Sequence, residues 1–442
     1  MYRPLSVISI FYLFIFLFSC APVNNYKDLS SKEINVTSQE EIKVTSPLED
    51  KAGSINEQNT KLNQDQNQIA EAQQYKDLNN ILLKNIKVLI SKKDDPKIVN
   101  QFLNVIELAV YKREIKGIGF NIHVYNNNSD LIEYVKNNLE PGTVFVGPIS
   151  SENTEGLNKF CKDGVLFFSF ASNISLANDC VFLINFFPHN EIKTIFDYLP
   201  DDSNVAVIYP ENTYGYKINE TVDIVSQNSN SIIVNRASYK ENLQDISSAI
   251  KELGKYELRK FELNRQKKLL ALKKDEKSKQ RLKRLERFTT TNNYGFTHVL
   301  IADYGVRLLQ VAPLLAYYDI DPNIVKFIGT GAWDDVIFFN EPSLQNAIFP
   351  GVEYSKRENL VSEYATFYGE DLMRISTLPY DLVGLLAFLI NNKYKLKDFY
   401  KLVDNKSVIF DGVDGNFYFK GNLIERELGI LKIHKGEALQ IN

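Results

Sequence analysis

The sequence is short of the residues that usually announce a chemistry. It has four histidines in 442 residues, at 123, 189, 298 and 434, and they follow no metal-ligand spacing. It has three cysteines, too few for a disulfide scaffold or a thiolate cluster. Positive charge is not in excess: 51 Lys and Arg against 55 Asp and Glu leave a net charge of −4, which excludes nucleic-acid binding by bulk charge. There is no Gly-x-Ser-x-Gly elbow. Gly329-Thr330-Gly331 lacks the following Lys of a phosphate loop and reads as a turn at a strand end. Asp411–Gly415 lacks the later Glu of a calcium loop and reads as a hairpin turn. Ser150 and Ser151 have no base near them in sequence, so they suit helix capping or ligand contact better than nucleophilic attack. The expectation is a non-enzymatic chain with no catalytic residue, metal or cofactor.

Long apolar runs are also scarce. Leu5–Phe18, behind Arg3, is too short for a comfortable membrane span and reads as an export signal over 1–19. It ends in Leu17-Phe18-Ser19-Cys20, which resembles a bacterial lipobox. That resemblance implies a lipidated Cys20, and Ala21 after it implies retention at the outer membrane; an uncleaved anchor is the alternative. Residues 20–76 are polar, as in Asn59–Gln68, and read as a disordered tether. With Cys20 acylated, Cys161 and Cys180 remain as an even pair in an oxidising compartment. A disulfide worth about 3 kcal/mol and two buried thiols are both open readings.

What is present is a repeated strand–loop–helix pattern. Thr143–Asn173 holds two such units: Thr143–Val146 ends at Gly147-Pro148 before Ser150 and Ser151, and Val165–Phe170 ends in Ala171-Ser172-Asn173. Further strands are expected at Ile86–Ile90, Phe120–Tyr125, Val181–Ile184, Asn204–Tyr209, Ser231–Asn235, His298–Ala302, Val325–Gly329 and Gly429–Ile433. Alternation with helical segments predicts an α/β fold of two doubly wound parallel-sheet lobes, with ligands outside the carboxyl ends of the strands. An insertion at 254–290 interrupts the second lobe and reads as a helical hairpin. Across Lys251–Thr290, fifteen Lys and Arg face six Asp and Glu. A solvated hairpin without a partner and a contact arm for an acidic partner or anionic surface both fit.

These pieces resemble type I periplasmic solute-binding proteins of the branched-chain amino-acid class. LLQVAPLLAYYDID, GTGAWDD, LPYDLVGLLA and FDGVDGNFYFKGN look, more narrowly, like the alphaproteobacterial penicillin-binding-protein activator lipoproteins. The resemblance implies two lobes joined by three crossovers: 77–192 with 351–405, and 193–350 with 406–442. It implies a periplasmic, lipid-anchored protein touching the membrane only through its anchor. Its partner would be a peptidoglycan synthase, a penicillin-binding protein. The alternative is a receptor delivering amino acids or related solutes to an ABC transporter. Carried over residue by residue, the cleft candidates are Ser150, Ser151, Ala171 and Asn173 in one lobe. In the other they are Tyr214, Asp303, Tyr304, Trp333 and Asp334. The acid that holds a ligand ammonium in this class falls on Gly331, and Asp303, Asp334 or Asp335 are the candidates to replace it.

Overall fold

The computed structural model describes residues 80–113 and 119–442. The expected export signal, Cys20 and the tether over 20–76 lie outside the described residues. The first sheet contains β1 (Ile86–Ser91), β2 (Phe120–Tyr125), β3 (Val144–Val146), β4 (Leu166–Ser169) and β5 (Val181–Leu183). They are parallel, in the order β5-β4-β3-β1-β2. The second contains β6 (Asn204–Pro210), β7 (Ile232–Tyr239), β8 (His298–Ile301), β9 (Lys326–Ile328) and β10 (Ile348–Gly351). They are again parallel, in the matching order β10-β9-β8-β6-β7. An antiparallel pair extends each sheet at the same edge. β11 (Phe417–Lys420) and β12 (Leu423–Arg426) lie beside β5, and β13 (Gly429–His434) and β14 (Glu437–Gln440) lie beside β10.

Helices α1 (Pro96–Lys112), α2 (Asn128–Lys136) and α3 (Ser151–Thr154) belong to the first lobe. The second has α4 (Pro188–Tyr198), α5 (Thr213–Ser226), α6 (Ile246–Leu253), α7 (Tyr256–Ala271), α8 (Glu276–Leu285) and α9 (Gly305–Tyr317). The chain then returns to the first lobe with α10 (Glu358–Tyr368), α11 (Thr377–Asn391) and α12 (Leu396–Asp404). The central strands are apolar almost throughout because helices cover both faces. β1 is buried at all six positions, and its one cation, Lys87, donates to Asn138 Oδ1 at 2.5 Å. On β6 the alternation is explicit: Ala206 and Ile208 enter one core, Val205 and Val207 the other. Helix starts are written locally as well. Asp95 accepts the N–H groups of Lys97 and Ile98, and Pro96 opens α1.

The two-lobe α/β expectation therefore holds, including the inserted hairpin, which is α7 and α8. The chain crosses between lobes after β5, after β10, and between β12 and β13. One boundary is corrected. Residues 406–442 were expected in the second lobe, but β11 and β12 pair with the first sheet. The cause is aromatic packing: Phe182 and Phe399 meet Phe419 edge-on at 5.7 and 6.0 Å. The paired strands of this hairpin turn at Gly421-Asn422, while 411–416 forms a loop closed by the Phe410–Phe417 bridge.

Candidate functional site

The candidate residues sit at the carboxyl ends of the strands, and most are already occupied. Ser150 caps α3, its Oγ accepting from the backbone N–H of Asn153 at 3.3 Å and from its Nδ2 at 2.8 Å. Ser151 Oγ accepts from the backbone N–H of Asn173 at 3.2 Å, which ties the loop after β3 to the loop after β4. Ala171 is buried and donates its N–H to Ser169 Oγ at 3.1 Å. Asn173 Oδ1 accepts from the N–H and Oγ of Ser175. Cys161 and Cys180 are bonded, with Cα atoms 5.2 Å apart, pinning the short helical turn before β4 to the start of β5.

In the second lobe, Tyr214 and Tyr304 meet edge-on at 4.8 Å. The Tyr214 hydroxyl lies 2.5 Å from Thr330 Oγ1. Burial pushes the Tyr214 phenol far up, so it stays protonated. Tyr304 keeps 43% of its surface exposed and is the open member of the pair. Among the described residues no hydrogen bond joins Ser150, Ser151 or Asn173 to either tyrosine.

Two candidates are corrected. Asp303 is fully buried and committed: it holds the Arg307 guanidinium at 3.0 to 3.1 Å and accepts from the Tyr239 hydroxyl at 2.5 Å. It has no free face for a ligand ammonium. Trp333 does not line a cleft either. It is fully buried in the second-lobe core and donates its indole N–H to the Asp303 carbonyl at 2.9 Å. A Cβ at Gly329 would fall 1.9 Å from its ring, so glycine is required where the ring packs on the end of β9.

Asp334 alone leads to a larger cluster, in which seven charged side chains gather where the crossovers meet. Asp334, from the second lobe, accepts from Arg357 at 2.6 Å and lies 3.6 Å from Arg374 Nε. Arg357 begins α10 and also reaches Asp414 at 3.2 Å. Arg374 donates Nε to Asp414 at 2.9 Å and Nη1 across the lobes to the Gly331 carbonyl at 2.8 Å. Arg426, at the end of β12, pairs with Asp381 of α11 at 2.7 Å and caps the carbonyls of Asp414 and Gly415. The Arg374 and Arg426 guanidiniums stand 4.3 and 5.2 Å from the ring of Phe186 on the first crossover. Glu191, from α4, completes the set by accepting the Gly331 N–H at 3.0 Å.

Secondary structure aims these groups. The turn carrying Arg374 is held by Gln101 of α1, whose amide donates to the Asp371 carbonyl and accepts from the Met373 N–H and the Ser376 hydroxyl. Thr377 bonds both the Arg374 carbonyl and Asp414. The electrostatics are lopsided, with three guanidiniums against four carboxylates. Burial raises the Asp414 pKa, but Arg374, Arg357 and Arg426 outweigh it and hold the group below the usual carboxylate range. Burial lifts Glu191, and Arg374 and the Gly331 N–H only partly offset that. Burial likewise lifts Asp381. Arg374 is disfavoured by burial but held firmly charged by Asp414, Asp334 and Glu191. The cluster contains no nucleophile–base pair, and among the described residues no group of His, Cys, Asp and Glu could hold a metal ion. What it can do is clamp the lobes.

Sequence reading missed most of this cluster. Glu191, Arg357, Arg374, Asp381 and Arg426 lie in different segments, and Asp414 was expected to be only part of a turn. A signal was present in the pattern: Asp381 and Arg374 flank an otherwise apolar helix start, and an isolated charge there needs a partner.

No protein-family model and no curated protein sequence matches the chain. Solved structures do match. A periplasmic ligand-binding protein of a branched-chain amino-acid ABC transporter from Burkholderia xenovorans aligns with TM-score 0.57 and 12% identity, over 81% of this chain and 94% of that one. An ABC transporter substrate-binding protein from Desulfitobacterium hafniense, in complex with Leu, aligns with TM-score 0.53 and 15% identity, over 81% and 100%. The C-domain of LpoA from Haemophilus influenzae, a regulator of PBP1A, aligns with TM-score 0.54 and 15% identity, over the same shares. These neighbours are binding and regulatory proteins, and at such identities the likeness concerns the fold. The chain has the two-lobe fold of type I periplasmic binding proteins.

Proposed function

We propose that the chain is a non-catalytic, lipid-anchored periplasmic protein that acts through protein–protein contact on a peptidoglycan synthase. One observation carries this reading: at Gly331, the position that the resemblance equates with the ammonium-holding acid of amino-acid binders, the space is filled by the chain's own groups. The Glu191 carboxylate lies against Gly331, and the Arg374 guanidinium supplies the positive charge that a ligand would bring. Asp334 then bonds Arg357 across the lobes. A clamp of this kind substitutes for the ligand that closes a receptor, and leaves outer surfaces to engage a partner. The likeness to LpoA supports the reading, since LpoA regulates a penicillin-binding protein.

The competing reading is a solute receptor of an ABC transporter using Ser151, Asn173, Tyr214 and the exposed Tyr304, in line with the Leu-bound neighbour. Thermal shift against free amino acids, short peptides and muropeptides separates the two. A true ligand at 100-fold excess over its dissociation constant stabilises by about 2.7 kcal/mol. The expected result is no shift with any of them and capture of a synthase by the full chain. A clear shift with an amino acid, together with no capture, overturns the proposal.

A further inference from the structure

The inserted arm carries an apolar stripe that the fold leaves uncovered. On α7, Leu258, Phe261 and Leu269 are 54%, 65% and 54% exposed, and Leu272 at its end is 80% exposed. With 3.6 residues per turn, these four and Arg265 fall within an arc of about 80° over roughly 21 Å. The helix satisfies its own packing on the opposite side, where Leu263 is buried and α8 runs alongside. The stripe is therefore additional to what the hairpin needs to fold.

The arm is also rigidly based. Arg259 is 1% exposed and donates to the Gly254 carbonyl at 2.6 Å, to Thr290 Oγ1 at 2.8 Å, and to the Thr291, Asp319 and Tyr318 carbonyls at 2.9, 3.1 and 3.1 Å. Its guanidinium lies 4.6 Å from the Tyr294 ring. It thereby caps the carboxyl end of α9 and fixes the root of α7 to the lobe. A surface held this way loses little entropy on docking.

We infer that this stripe of α7 docks an amphipathic helix of a partner protein, one with an apolar seam, a carboxylate opposite Arg265 and acidic flanks. Three features select that occupant. The arc is narrow, as in a two-helix seam, whereas helices lying in a membrane surface present a broad apolar face. Arg265 interrupts the middle of the stripe, where the acyl chains that would receive an apolar face leave it unpaired but a facing carboxylate pairs with it. The stripe is symmetric about Arg265, so an antiparallel pairing of two copies would set Arg265 against Arg265. It would also press together two arms that each carry fifteen Lys and Arg against six Asp and Glu over Lys251–Thr290. Charge complementarity excludes the second copy and favours an acidic helix. The inference rests on the partner-binding reading and assigns it a surface.

The test uses the full chain and a synthetic 21-residue peptide of leucine heptads flanked by Glu, followed by fluorescence anisotropy. A Lys-flanked peptide and phosphatidylglycerol vesicles serve as competitors for the assignment. Phe261→Asp and Leu269→Asp are expected to weaken the Glu-flanked peptide roughly tenfold or more. Arg265→Glu should do the same and be rescued by a peptide with Lys at its centre. These positions are exposed, so circular dichroism should show unchanged folding. Peptide affinity indifferent to all three variants overturns the inference. So does preference for the vesicles, or dimerisation in sedimentation that Phe261→Asp abolishes. Synthase capture keeps the two readings apart. Capture unaffected by Phe261→Asp removes the stripe and leaves the partner reading standing. No capture by the wild-type chain, with variant-sensitive peptide binding, removes the synthase and leaves the stripe.

Discussion

Glu191 occupies the space into which a side chain at residue 331 would project. A Cβ built on Gly331 falls 2.1 Å from Glu191 Oε1 and 3.0 Å from Arg374 Nη1, while the Gly331 N–H and carbonyl bond those same two side chains. Glycine is thus what lets one backbone unit seat a carboxylate and a guanidinium together.

Gly331→Ala must push one of them aside, with an expected loss of about 1 to 3 kcal/mol in unfolding free energy. Removing the obstructing carboxylate as well, in Gly331→Ala with Glu191→Ala, should cost clearly less than the two single losses combined. Urea midpoints of the four proteins check this. Strict additivity would show that the two residues do not meet.

The cluster also has a pH signature. Glu191 binds its proton more tightly folded than unfolded, because burial lifts it above its ordinary value of 4.5. Its ionisation therefore erodes stability as pH rises from 4.5 through the folded value. Asp414 behaves oppositely. Burial acts to raise it, but three guanidiniums hold it below its ordinary 3.8, so its contribution is complete above 3.8 and disappears as pH falls through the folded value. Glu191→Gln should be neutral or stabilising near neutral pH and should flatten the slope above 4.5. Asp414→Asn should cost about 3 to 5 kcal/mol there, because it strands buried guanidiniums. Denaturation series across pH compare them, and equal losses in the two variants would refute the assignment.

Trp333 is the single Trp of the chain and is fully buried beneath the end of β9. Its emission should be shifted to short wavelength and resist quenching by iodide, with both properties lost on unfolding. Tyr304, by contrast, remains open to solvent. Strong quenching in the native protein would place the indole at a surface.

The bond between Cys161 and Cys180 closes a loop of sequence separation 19. Reduction, or Cys161→Ser with Cys180→Ser, should lower stability by about 3 kcal/mol through the greater freedom of the unfolded chain. Peptides containing these cysteines should take up alkylating reagent only after reduction. Labelling of the unreduced, denatured chain would contradict the pairing.

Much of the fold was legible in the sequence. The apolar runs at Ile86–Ser91, Asn204–Pro210 and His298–Ile301 are strands because only a covered parallel sheet can bury them. The +9 insertion is a helical hairpin because its charges flank a helical apolar spacing. The loops after β3, β4, β6 and β8 fall where the strand ends place them. Local pattern suffices for these features because each depends on residues within a few turns of one another. Allocation of β11 and β12 did not follow from pattern, because a strand's periodicity names its buried face and not the sheet it joins.

Nor did the clamp. Glu191 and Gly331 are 140 residues apart, and Arg374 and Asp414 are 40 apart. The apolar setting of Arg374 says that it needs a partner but nothing local names Asp414 or the Gly331 carbonyl as that partner, and Asp334 looked no different from Asp335. Local pattern is enough for two lobes, their strand ends and an arm of unusual charge. That the crossovers bring Phe186, Glu191, Arg357, Arg374, Asp414 and Arg426 to one place is a property of the folded chain. Burial and pairing of charge depend on what the folded chain sets beside each group, which no short window of sequence contains.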